Sequence, residues 1–77
     1  MEKVIFAELY AAGVVYSTDP AQDFASGLRV NYCEQLEFET LPDGQIALAY
    51  RRGGTLGRLL YRGDYRVLVA EGAAPLP

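Results

Sequence analysis

Seventy-seven residues, 51% hydrophobic and 22% charged, with a net charge of −3, describe one small globular unit and exclude a disordered chain. One cysteine and no histidine exclude an intramolecular disulfide, a zinc cage and any nucleophile–histidine pair. A chain this short buries only about 60% of the surface its unfolded form exposes, so the core is expected to be thin and a partner chain, a second copy included, is the expected staple.

Taken from the N-terminus, Lys3 to Tyr10 is rich in β-branched and aromatic residues and reads as a strand, although Ile5, Leu9 and Ala12 also fit a short helix ending at Gly13. Ala11-Ala12-Gly13 has the length of a three-residue hairpin loop, and Val14 to Ser17 returns as a second strand. Asp19 to Ser26 carries helix signals: Asp19 as cap, Pro20 at the first helical position, Gln22 three residues after the cap, Phe24 as anchor and Gly27 as stop.

Leu28 to Leu41 alternates more clearly than any other stretch. Leu28, Val30, Tyr32, Leu36, Phe38 and Thr40 fall on one face, and Arg29, Asn31, Cys33, Gln35, Glu37 and Glu39 on the other, with Glu34 the exception. Pro42-Asp43-Gly44 supplies the turn chemistry that folds this strand onto the next. The implied register sets Phe38 opposite Leu48, Leu36 opposite Tyr50 and Glu34 opposite Arg52, leaving Glu37 and Glu39 beside Ala47 and Ala49 on the outer face. Gly53 to Gly57 reads as a flexible connection, Arg58 to Arg62 as a strand, Gly63-Asp64 as a hairpin turn and Tyr65 to Glu71 as the last strand. The elements predict an α+β, mostly β fold: an antiparallel sheet or small barrel of about five strands with one short helix. Residues 1–72 form the single domain, and 73–77 a flexible C-terminal tail.

The functional reading follows the charge. Residues 1–50 hold eight acids and two bases, and residues 51–77 two acids and five bases, which predicts two surfaces of opposite sign. Glu37 and Glu39, two apart on a wet face, read as solvated carboxylates rather than a catalytic pair. Gly53-Gly54-Thr55-Leu56-Gly57 lacks the lysine and helix of a phosphate loop. Arg62-Gly63-Asp64, the letters of an adhesion tripeptide, reads as a turn, and Cys33 as a surface or interface thiol among acidic neighbours. No catalytic residue, cofactor or metal is expected.

What remains is binding. Glu37, Glu39, Asp43 and Arg51, with Ala47 and Ala49 as a flat floor, form the expected protein-binding surface, suited to a basic partner. The alternative is an oligonucleotide-binding face built from Arg51, Arg52, Arg58, Arg62 and Arg66 with Tyr61; the net negative charge makes nucleic acid the weaker expectation. A third reading is a structural homo-oligomer. In length, acidity and lack of catalytic residues the chain resembles small phage-encoded or accessory inhibitors. That compositional likeness implies a regulator of nucleic-acid machinery such as RNA polymerase or CRISPR-like complexes. Met1 leads straight into patterned sequence, and no apolar run reaches the roughly 18 residues of a membrane helix, so a cytoplasmic setting is expected.

Overall fold

The computed structural model describes residues 2–70. They form seven strands: β1 (Glu2–Leu9), β2 (Val14–Ser17), β3 (Arg29–Tyr32), β4 (Gln35–Thr40), β5 (Ile46–Arg52), β6 (Thr55–Tyr61) and β7 (Tyr65–Val69). The neighbour order is β3-β2-β1-β4-β5-β6, with β7 on β1. The architecture is an all-β, curled half-barrel sheet.

β1 makes the curl. Its first residues pair with β4, Glu2 with Phe38 and Lys3 with Glu37. The register against β7 then shifts between Val4 and Phe6, and from Phe6 onward β1 pairs with β2 instead. A strand irregularity of this kind bends the chain and lets one strand serve two sheets. Val4, Ala7 and Leu9 of β1 thereby meet Leu36, Phe38, Ile46, Leu48 and Tyr61 in one buried cluster, with Tyr16, Tyr50, Leu59 and Val67 packed around it.

The expected helix over Asp19–Ser26 is absent: among the described residues there is none. The same residues make a turn followed by irregular chain. The Asp19 carboxylate accepts from the Ala21 amide at 2.9 Å, and the Gln22 amide donates to the Asp19 carbonyl at 3.3 Å. Two helical turns would gain few hydrogen bonds for a costly nucleus. The irregular chain instead sends the Ala25 amide to the buried carboxylate of Glu8 at 3.1 Å and sets Phe24 edge-on against Phe6, centroids 5.1 Å apart.

Other expectations are also revised. The Leu28–Leu41 strand is broken at Cys33-Glu34 into β3 and β4. β3 lies parallel to β2, so Val30 and Tyr32 share a face with Val15 and Ser17 rather than with Leu36 and Phe38. Cys33, expected on the surface, is buried. The loop between β1 and β2 spans Tyr10–Gly13, because Leu9 rather than Tyr10 pairs with Val14. Gly53-Gly54 is a two-residue turn with both residues at positive φ, +53° and +86°, and Thr55 to Gly57 already belong to β6. The Gly63-Asp64 turn does not fold β7 back on β6; β7 pairs with β1. Tyr61 holds that corner, its hydroxyl donating to the Asp64 carbonyl at 2.6 Å and accepting from the Ala11 amide at 2.9 Å. The expected tail, 73–77, lies outside the described residues.

The β4–β5 hairpin has the predicted register, Phe38 opposite Leu48, Leu36 opposite Tyr50, Glu37 opposite Ala49 and Glu39 opposite Ala47. On the other side of β5, Tyr50 faces Gly57 and its ring lies over that glycine while stacking on Tyr16 at 5.2 Å. A Cβ on Gly57 would stand 2.3 Å from the Tyr50 ring. Gly57→Ala is therefore expected to lower stability by about 2 kcal/mol, as overpacking does. The double variant with Tyr50→Ala is expected to cost less than the sum of the two single changes in chemical denaturation; strict additivity would refute the contact.

Candidate functional site

The outer face of β4–β5–β6 is read directly from the register. Strand alternation turns Leu36, Phe38, Ile46 and Leu48 inward and so turns Gln35, Glu37 and Glu39, then Ala47, Ala49 and Arg51, then Leu56, Arg58 and Leu60 outward. Three cross-strand rows result: Gln35–Arg51–Leu56, Glu37–Ala49–Arg58 and Glu39–Ala47–Leu60. One side of the face is acidic, the middle is small, and the far side is leucine–arginine–leucine.

Five of the six residues expected to bind protein share this face: Glu37, Glu39, Ala47, Ala49 and Arg51. Asp43 stands apart in the hairpin turn, where its carbonyl and carboxylate accept from the Arg62 guanidinium at 3.0 and 3.5 Å. The alanine floor is low: Ala47 is buried and Ala49 half-buried. Leu56 and Leu60 stand above it, 71% and 48% exposed. The sequence reading passed over these two leucines. Three glycines in five residues made Gly53 to Gly57 look like a loop, which removed Leu56 from the strand and hid the outward alternation Leu56, Arg58, Leu60.

The arginines of the alternative reading do not share a face. Arg51 and Arg58 point outward from the β5–β6 sheet. Arg52 reaches the Asn31 side chain at 3.5 Å, Arg62 is at the Asp43 turn, and Arg66 lies on β7 against Glu8 at 2.6 Å. Tyr61 is buried at the corner, so its ring offers no stacking platform. Glu34 and Arg52, expected opposite each other, form no ion pair; the Glu34 amide donates to the Arg51 carbonyl at 2.8 Å.

Burial raises the Cys33 thiol above its ordinary value, opposed by the charge of Arg52, which keeps it protonated and unreactive at neutral pH. Among the described residues no group of three metal-ligating side chains comes together, and no helix is long and apolar enough to cross a membrane. A cleft of about 230 Å³ opens where β1 forks, beside Val4, Thr18 and Leu36, smaller than most small-molecule sites. On the outer face a depression of about 70 Å³ lies between Glu37, Ala49 and Leu56. No family model, curated protein or solved structure matches the chain.

Proposed function

We propose that this chain is a non-catalytic protein-binding module that docks the outer face of β4–β5–β6 on a partner. The observation that carries this reading is the pair Leu56 and Leu60, large apolar side chains exposed on the far strand of a sheet face, flanking Arg58 and separated from the acidic column of β4 by Ala47, Ala49 and Arg51. Large exposed apolar side chains beside charged ones mark a contact surface. Glu37 and Glu39 suit a basic patch on the partner, of the kind nucleic-acid machinery presents, and complementary charge there sets encounter rate and orientation. The absence of histidine from the sequence leaves the usual acid–base and nucleophilic pairs without a member.

The test is comparative capture from the native host's lysate. The wild type, Leu56→Ser/Leu60→Ser, Glu37→Lys/Glu39→Lys and the remote control Arg29→Glu serve as baits, each checked for folding by circular dichroism. A partner retained by the wild type and the control is expected to weaken at least tenfold with both face variants, the scale of a central anchor. Identical captures by all four baits would refute the reading.

A further inference from the structure

The strand that carries the two leucines is also a sheet edge. Among the described residues β6 pairs with β5 alone, and the Gly53-Gly54 turn closes on the pair Arg52–Thr55. In a two-residue hairpin the closing pair exchanges its hydrogen bonds, and every second pair along the ladder does the same. Thr55, Gly57, Leu59 and Tyr61 thus bond to β5, and the N–H and C=O groups of Leu56, Arg58 and Leu60 point away from it. Among the described residues these groups have no other backbone partner. The residues whose backbone faces outward along the edge are therefore the same three whose side chains stand on the outer face.

From this coincidence we infer that β6 takes up an extended segment of a partner protein as an additional antiparallel strand. The segment carries an acidic residue flanked at two positions on either side by apolar ones. Each partner residue directly opposite Leu56, Arg58 or Leu60 would exchange two backbone hydrogen bonds with it and lie on the same face. Apolar side chains then meet the two leucines, and a carboxylate meets Arg58, which has no ionic partner among the described residues. Arg51, diagonal to Arg58 and across from Leu56, adds positive charge to the same site. The occupant is not a second copy of β6. The two-fold register that sets Leu56 against Leu60 of the other copy also sets Arg58 against Arg58, and like charges directly opposite are unfavourable.

This inference builds on the outer face as a contact surface, and a defined peptide separates the two. A blocked seven-residue peptide with valine, glutamate and valine at alternate positions and threonine between them is titrated into the 15N-labelled chain. The amides of Leu56, Arg58 and Leu60 are expected to shift and to gain protection from exchange. Replacing the glutamate by lysine is expected to weaken binding roughly tenfold, and the Arg58→Glu chain is expected to reverse that preference. Methylating the peptide nitrogens at the valine and glutamate positions is expected to abolish binding, because those amides face β6. The inference is overturned if the three amides stay unmoved at millimolar peptide, if glutamate and lysine peptides bind alike, or if methylation has no effect. Failure of the peptide alongside loss of partner capture in the face variants would remove the edge and leave the face; peptide binding with unaltered capture would do the reverse.

Discussion

Leu48→Ala is expected to destabilise the chain by about 3 kcal/mol, within the range for emptying a fully buried leucine site. Leu48 has no exposed surface. It sits at the centre of β5 between Phe38 of β4 and Leu59 of β6, inside the one cluster that joins both parts of the curled sheet. A chain of this length has a total stability of roughly 4–12 kcal/mol, so the loss is a large share of it. Leu56→Ala is the matched control: the same truncation, three residues along the neighbouring strand from the position opposite Leu48, at a site 71% exposed. Its effect is expected to stay within about 0.5 kcal/mol. Urea midpoints measured for the two variants decide the matter, and equal shifts would contradict the placement of both leucines.

That contrast also shows how much of the molecule its sequence declares. The β4–β5 hairpin is legible because two local signals agree: alternation over Gln35–Thr40 and Ile46–Arg52, and the Pro42-Asp43-Gly44 turn that sets their register. The outer-face residues Glu37, Glu39, Ala47, Ala49 and Arg51 follow from it without knowledge of anything distant. Where local signals serve two structures, the reading goes astray. Asp19-Pro20 opens a helix or a β-turn equally well, and the choice falls to Glu8, 17 residues away from the Ala25 amide it accepts from. Pairing partners are not local at all. Nothing in Tyr65–Val69 says that it joins β1 rather than β6, and nothing in Arg29–Tyr32 says that it runs parallel to β2. The even alternation from Leu28 to Leu41 crosses a break between strands that pair with different neighbours, so its apparent single face is two faces joined by a bend. Gly57 misled for a related reason: it is a strand residue whose missing side chain makes room for Tyr50.

The second large effect belongs to Glu8, a carboxylate only 1% exposed that ties three segments together. Oε1 accepts from Arg66 of β7 at 2.6 Å and from the Tyr10 hydroxyl at 2.9 Å, and Oε2 accepts from the Ala25 amide at 3.1 Å. The Arg66 guanidinium also lies 4.8 Å over the Phe6 ring, whose edge contact with Phe24 holds down the segment after β2. The hydrogen bond from Arg66 leads in lowering the Glu8 carboxyl from 4.5 to about 2, with the Ala25 and Tyr10 hydrogen bonds adding to it and burial opposing it. Above pH 4.5 the group is ionised in folded and unfolded chains alike, and its contribution is present in full. Between 4.5 and about 2 the unfolded chain binds a proton that the folded chain does not, so stability falls as pH falls, and below about 2 the contribution is gone. Realised completely, such a shift is worth roughly 3 kcal/mol; the Arg66 side chain is 57% exposed, and water screens the pair to about 2 kcal/mol. Glu8 is one of ten acidic residues in the chain, so the measurement is a difference. Glu8→Gln is expected to lose about 2 kcal/mol at pH 7 and almost nothing at pH 2, because glutamine keeps the shape but not the charge. Arg66→Ala is expected to move stability in the same direction at pH 7 and to shift the Glu8 titration upward in carboxyl-resolved NMR. A wild-type minus Glu8→Gln difference that stays constant from pH 7 to pH 2 would show that the carboxylate acts through packing alone, and that its charge does not hold the segment after β2 against the sheet.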